Sequence, residues 1–250
     1  MIRQHYLLSY LLLMLLAFCS AAAAEEKAPV FQTIGQEPYS FQSSDGQYDG
    51  YHYQIANRIL EEAGYTAKAQ PVPLRRLIHD TKGGLSDCML AGASPFAKAN
   101  FALVETVGHD LIVGILPRAG LDLNSYDDLK NIRIGVPAGM SVGDPFDSDE
   151  TLIKVPTPDY FQSSIMLNYD RIDAIMGAIE SIRYSAHKAL PGEKVVFGKP
   201  LITQRFPVAL LCNKGKANTV LVKRLKEATV RLRESGEFAQ IIGVFFAPML

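Results

Sequence analysis

Apolar residues recur along this chain in two rhythms. Short apolar runs, "VFQTIGQ", "TAKAQPV", "LSDCMLAG" and "DLIVGILP", have the length and composition of buried strands. Between them the apolar positions take helical spacing. In "YHYQIANRILEEAG", Ile55, Ile59, Leu60 and Ala63 fall on one face, and Gly64 stops the helix. "PLRRLIHDTKGG" predicts a short helix with Pro73 at its first position and glycines at its end. The order βαβαβ predicts a parallel sheet covered by helices.

The pattern then restarts. "SYDDLKN" predicts a helix capped by Ser125, and "IRIGVPAG" a strand ending in a Gly loop. "LIKVP", "RIDAIMG" and "KVVFG" read as strands. Two helices separate them: "TPDYFQSSIMLNY", capped by Thr157 with Pro158 at N1, and "SIRYSAHKA". "PVALLCNKG" is one more strand. A long helix follows, with Leu221, Leu225, Ala228 and Leu232 on one face, and an apolar helix, "FAQIIGVFF", closes the chain. Two βαβ units, the second inserted in the first, predict an α/β protein of two lobes. Residues 25–115 with 206–250 would form one lobe, and residues 116–205 the other. Strand-like crossings near Ile112–Pro117 and Thr203–Leu210 would join them. Loops at the carboxyl ends of strands would then line a cleft, where open α/β sheets bind ligands.

Composition adds bounds. The chain has 250 residues, 48% of them hydrophobic and 20% charged, and a net charge of −1, which suits a soluble chain of one or two domains. No basic excess points to nucleic acid. The N-terminus carries Arg3, an apolar run from Tyr6 to Phe18, and Ala22–Ala24 before Glu25, the pattern of a cleaved secretory signal. That run is short for a membrane span, which needs about 20 residues. The bulky Phe18 before Cys19 argues against a lipoprotein. Loss of residues 1–24 removes Arg3 and no acid, so the mature charge moves from −1 to −2. The mature protein is expected in the periplasm.

Cys88 and Cys212 then remain, both in apolar strand-like runs. An oxidising compartment permits a bridge. The favoured expectation is two buried, reduced thiols, because neighbouring strands within a sheet rarely offer bridge geometry. Neither has a His at metal-ligand spacing, so no metal site and no cofactor are read.

Several segments, in register, resemble the bacterial extracellular solute-binding proteins of family 3, the amino-acid-type periplasmic binding proteins of ABC transporters. "EPYSFQSSDGQYDGYHYQIANRILEEAG" is similar to their opening, and "GGLSDCMLAG" to their Gly-x-x-Asp strand ending in Ala-Gly. "DDLKNIRIGVPAGMS" resembles their Asp-Leu-Lys segment and its Gly loop, and "NYDRIDAIMGA" their Arg-x-Asp-Ala strand. "PVALLCNKG" with "LRESGEFAQII" resembles their closing segment. The resemblance implies a type II periplasmic binding fold, two lobes on a two-strand hinge closing on a small solute. It also implies an inner-membrane permease or sensor as partner, and the protein is expected to act as a monomer.

Carried onto this sequence, the resemblance implies a set of ligand groups. Tyr39 and Leu74 would frame the ligand, although Leu74 departs from the usual aromatic. Backbone at Gly92, the Ser94 hydroxyl and the Gly139–Met140–Ser141 loop would take its head group. The family's carboxylate-gripping Arg falls on Ala99, beside Lys98, and its ammonium-binding Asp falls on Ala178. His52 stands at a further acidic position. A buried ammonium lacking a carboxylate is costly, so the ligand is expected to be a small polar solute, amino acid-like or an organic anion. Arg76, in Pro73-Leu74-Arg75-Arg76, is the best candidate anion contact, and Lys98 a second point charge. Arg76 could equally be a solvated surface cation, and for Lys98 the solvated reading is the favoured one.

Other residues read both ways. Glu180 could restore an ammonium partner or cap the helix it opens, and the cap is the favoured reading. Tyr39 and Tyr51 could wall a cleft or pack a core, while Phe41 and Tyr53 read as core. Arg183 and His187 look like helix surface, and Asp87 and Asp173 look structural. His52, His79 and His109 are isolated in sequence, and none is read as catalytic. The resulting expectation is a solute-binding protein and not an enzyme. The alternative is an exported enzyme on the same fold, like the cyclohexadienyl dehydratase-like members of the family, with Glu180 as general acid/base.

Overall fold

The computed structural model describes residues 28–193 and 195–247. The export segment read at residues 1–24 lies outside them. Among the described residues no helix is long and apolar enough to cross a membrane.

The first unit builds as the apolar rhythm predicts. Strand β1 is Phe31–Ile34, and a short hairpin of β2 (Phe41–Gln42) and β3 (Tyr48–Asp49) leads into helix α1 (Tyr51–Glu62). On α1, Ile55, Ile59 and Leu60 are fully buried, each contributing roughly 1.5–3 kcal/mol by leaving water. Strand β4 (Gln70–Val72), helix α2 (Leu74–Gly83), strand β5 (Cys88–Gly92) and the short helix α3 (Pro95–Asn100) follow. β1 pairs parallel with β4 and β5.

Two long strands then dominate. β6 runs over Ala102–Pro117, and β10 over Leu201–Cys212. They pair antiparallel along most of their length, with register shifts where the ladder bends. Between them in sequence lie a single 3₁₀ turn at Tyr126–Leu129 closed by a Ser125–Asp128 capping box, β7 (Arg133–Pro137), β8 (Ile153–Thr157), helix α4 (Tyr160–Asn168), β9 (Ala174–Ala178) and helix α5 (Ile179–Ala189). Helices α6 (Val220–Glu234) and α7 (Glu237–Phe246) close the chain. The sheet order is β4-β1-β5-β10-β6-β9-β7-β8.

One continuous sheet thus carries two lobes, and among the described residues β6 and β10 are the strands that cross between them. The cores divide with it. Leu111 packs with Tyr51, Ile55, Leu225 and Phe238 in the first lobe, whereas Leu116 packs with Tyr160, Ile175 and Ile182 in the second.

Four local expectations are corrected. "KVVFG" begins at Lys194, outside the described residues; over residues 195–198 no strand forms, and only Phe197 makes an isolated bridge, to Arg118. The segment runs along the edge of β6 that β10 takes up from Leu201 onward, and regular pairing begins only there. Helix α4 is capped by Asp159, which accepts from the Gln162 N–H at 2.7 Å, while Thr157 ends β8. Phe41 is only partly buried and lines a cavity.

The fourth correction concerns the cysteines. Cys88 and Cys212 form a disulfide, with Cα atoms 4.0 Å apart. They stand directly opposite each other at the ends of antiparallel β5 and β10. That cross-strand position brings Cβ atoms together, unlike the offset of most neighbouring-strand pairs.

Candidate functional site: the junction of the two lobes

Strand direction creates the site. β1, β4 and β5 run one way, and β9, β7 and β8 run the opposite way along the same pair of crossing strands. β5 ends with Gly92 opposite Val208, and β9 ends with Ala178 opposite Val113. Between these levels lie Leu111–Ile112 and Arg205–Phe206, paired with each other. The carboxyl ends of both strand sets therefore point at one another across a gap that, among the described strands, β6 and β10 bridge. Loops leaving such ends expose backbone N–H groups and helix N-termini.

One inter-lobe cavity of about 310 Å³ lies here, lined by Gln36 and Glu37 after β1, Ala138 and Met140 after β7, Asp159 before α4, and Ser185 on α5. A second, of about 460 Å³, follows the crossing strands at Gly108–Asp110, Ile112, Arg205 and Pro207.

The lobes are tied beside this gap by a polar cluster. Glu180, on the first turn of α5, accepts from the Tyr51 hydroxyl at 2.6 Å and meets His109 Nε2 at 3.0 Å. The favoured reading of Glu180 as a cap is corrected: its two oxygens face another lobe and a crossing strand instead of its own helix N-terminus. His109, isolated in sequence, is its partner across 71 positions. Next to it, the Ser181 hydroxyl donates to the Tyr39 hydroxyl at 3.1 Å. Burial, and then the Glu180 carboxylate, push the Tyr39 and Tyr51 hydroxyls well above the usual phenol range. Both therefore stay protonated, and Tyr51 is the donor to Glu180.

His52 lies under this cluster, its ring 4.9 Å from Tyr39 and 4.6 Å from Tyr51. It is buried, and neither ring nitrogen has a hydrogen-bond partner. Burial, and to a lesser degree His109, bring its pKa down to about 3, so it stays neutral. An imidazole at the family's acidic position is thus an apolar spacer here.

The residues expected to bind ligand fall into four groups. Tyr39, Glu180 and Met140 lie at the lobe junction: the first two in the hydrogen-bonded layer of Tyr51 and Ser181, the third on the cavity wall. Gly92 ends β5, where an added Cβ would lie 3.1 Å from Leu111 Cδ2. Its backbone is therefore screened on that side by a crossing strand. Leu74, Arg76, Ser94 and Lys98 belong to the first lobe's rim. Leu74 is half exposed. The Arg76 guanidinium is held by Asp80 at 3.2 Å with its side chain 68% exposed. The Ser94 hydroxyl caps α3 by accepting from the Ala97 N–H at 3.2 Å. Lys98 is exposed.

On the second lobe's rim, Gly139 has φ +75°, and nothing would meet a Cβ within 4 Å. Its strand-following turn is open to approach, and only glycine takes that backbone without cost. Ser141 hydrogen-bonds Asp147, whose carboxylate also collects the Gly143 N–H at 3.0 Å. Among residues that sequence reasoning missed, Gln36, Asp159 and Ser185 carried no signal beyond lying near strand ends. Asp87 and Asp173 are structural as read: Asp87 accepts from the Val30 N–H at 2.7 Å, and Asp173 from the Arg133 side chain. Arg133 beside it brings the Asp173 pKa down to about 2.

The family model for bacterial extracellular solute-binding proteins, family 3, matches residues 30–248. A search of curated protein sequences returned no match. Among solved structures, a mutant of ArgBP from T. maritima is similar, with TM-score 0.69 and 16% identity over 88% of this chain and 96% of that one. A substrate-binding protein of an ABC uptake transporter from Streptococcus pneumoniae, with bound histidine, has TM-score 0.67 and 18% identity over 88% and 92% of the two chains. An ancestral amino acid-binding protein described as a precursor of cyclohexadienyl dehydratase has TM-score 0.67 and 19% identity, over 88% and 95%. At these identities the likeness is one of fold, the type II periplasmic binding fold.

Proposed function

The chain belongs to the bacterial extracellular solute-binding proteins, family 3, and from that premise we propose that it acts in the periplasm, closing two lobes on a small polar solute for an inner-membrane permease or sensor. The lobes would be residues 25–115 with 206–250, and residues 116–205, after removal of a signal segment at 1–24. The observation that carries this reading is the convergence of strand ends from both lobes on a gap crossed by two strands. Small rotations of two long paired strands open or close such a gap without breaking either core.

The solute is amino acid-like or an organic anion. Relatives by fold bind histidine or are named for arginine. The α-ammonium and α-carboxylate clamps of that resemblance meet Ala178 and Ala99 here, so the head group is held differently. Backbone N–H groups of the Gly139–Ser141 loop, with Tyr39, Leu74, Arg76, Gly92, Ser94, Lys98 and Glu180, form the proposed contact set.

Thermal unfolding against amino acids, organic acids, polyamines and oligopeptides tests this. A ligand at a hundredfold excess over its Kd adds about 2.7 kcal/mol. A rise with one class, and a matching titration, supports the proposal. No rise with any class would overturn it. Genes for a permease beside this one would favour transport over sensing.

A second reading is favoured by the Glu180 cluster. A partly buried carboxylate held by a phenol and an imidazole is a candidate general acid/base, and one relative by fold is a dehydratase precursor. Turnover of prephenate or arogenate, lost in a folded Glu180→Gln variant, would support it. The absence of turnover removes it.

A further inference from the structure

A larger cavity, of about 670 Å³, lies between the lobes away from the strand-end gap. The β2–β3 hairpin, α1 and α7 wall it from the first lobe, and α5 with the turn after it from the second. Its apolar wall is a cluster of three rings. Phe41 lies 6.1 Å from Tyr184, and Tyr184 stacks on Phe245 at 5.8 Å. Phe41 meets Phe245 edge-on at 6.2 Å, which closes the set. The three rings give the cavity an aromatic wall, a surface type that attracts cations.

The polar side of the cavity carries Asp49, Gln54, His187 and Lys188. Asp49 uses one carboxylate oxygen to accept from the Gly50 N–H at 2.7 Å and the Gln54 amide at 2.8 Å. Its other oxygen takes no hydrogen bond among the described residues. Two further charges are near, and they cancel: Lys188 Nζ is 2.5 Å from the Glu37 carboxylate. Lys188 is thus engaged by Glu37, while the Asp49 carboxylate keeps one oxygen open to the cavity. Tyr184 senses the same field. Burial, helped by the Glu37 and Asp49 carboxylates, pushes its hydroxyl up to about 12.

We propose that this cavity is a second binding site, for an organic cation: an ammonium group on the open oxygen of Asp49, its aromatic or short alkyl part against Phe41, Tyr184 and Phe245. An anion would meet the Asp49 carboxylate, whereas a cation gains a charge-assisted hydrogen bond to it and contact with an aromatic wall together. The site shares no wall residue with the strand-end cavity of about 310 Å³, so it stands or falls apart from the cleft solute.

Titration calorimetry with benzylammonium tests it, with benzyl alcohol and phenylacetate as neutral and anionic counterparts. Benzylammonium should bind the wild type, and the two counterparts should bind at least about tenfold more weakly. Asp49→Asn keeps an acceptor oxygen for Gly50 and removes the charge. It should weaken benzylammonium by about tenfold with an unchanged circular dichroism spectrum. Phe245→Leu, as a second variant, should weaken it too. Amide shifts in nuclear magnetic resonance should appear at Gln54 and Gly192, on opposite walls. Equal affinity in both variants, equal affinity for phenylacetate, shifts confined to Ala138–Ser141, or no binding of benzylammonium would each overturn the proposal.

Discussion

Reduction of the Cys88–Cys212 bond is the perturbation whose size follows most directly from the structure. The bond joins the first residue of β5 to the last of β10, a separation of 124 residues, and the closed loop contains the whole second lobe. Cross-linking a chain at that separation removes loop-closure entropy from the unfolded ensemble worth about 5 kcal/mol at room temperature. Residual compactness of the unfolded chain lowers the figure, so the expected loss on reduction is about 3–5 kcal/mol. Comparing oxidised with reduced wild type keeps both sulfur atoms in the core, so packing changes little. Urea unfolding should give a lower midpoint for the reduced protein, and a steeper slope because its unfolded chain exposes more surface. Solute binding at the gap should survive below the new midpoint, since the bond lies at the far end of β5 from Gly92. Equal midpoints for the two forms, or two reactive thiols in the protein purified from the periplasm, would refute the reasoning.

Three further perturbations address the lobe junction. Tyr51→Phe and Glu180→Ala, combined in a double-mutant cycle, should show a coupling of about 1–2 kcal/mol, because the fully buried Tyr51 hydroxyl loses its acceptor; additive losses would deny the contact. His52→Phe should raise stability near neutral pH by about 1 kcal/mol, as two orphaned ring nitrogens disappear. In the wild type the folded pKa of His52 is lowered from 6.5 to about 3, so the unfolded chain takes up the proton first. Stability is then full above pH 6.5 and falls as pH drops toward 3; His52→Phe should flatten that part of the profile, and an unchanged profile counts against a buried neutral His52. Gly177→Ala should cost about 2–4 kcal/mol, since its Cβ would lie 2.0 Å from the Tyr160 hydroxyl at φ +138°; an unaltered melting temperature would contradict that packing.

The alternation of apolar periods determined most of the fold. β1, β5, β7, β8 and β9 and helices α1, α2, α5 and α6 lie where the pattern put them, because each buries one face or one run against the sheet. Both crossing strands were legible near their apolar halves only. Ala102–Gly108 and Leu201–Phe206 are mixed in polarity, since much of that length meets water or the partner lobe, so their full extent needed the register between them. "KVVFG" had strand composition, but of its described residues only Phe197 bridges the sheet, ahead of the pairing that starts at Leu201. The losses at Ala99 and Ala178 were readable in the chain, because they are departures from a linear motif.

What only the tertiary structure decided depends on contacts between distant segments. The disulfide required β5 and β10 to pair with Cys88 opposite Cys212, a register that no local composition encodes. Glu180 looked like a cap because its sequence neighbours form a helix. Tyr51 and His109, 129 and 71 positions away, reach its carboxylate first. The cation cavity assembles its rings and its carboxylate from four elements of both lobes. Periodicity reports which face of an element leaves water. Which charged group meets which is set by the direction and register of strands, and those arise only when the two lobes close on a common sheet.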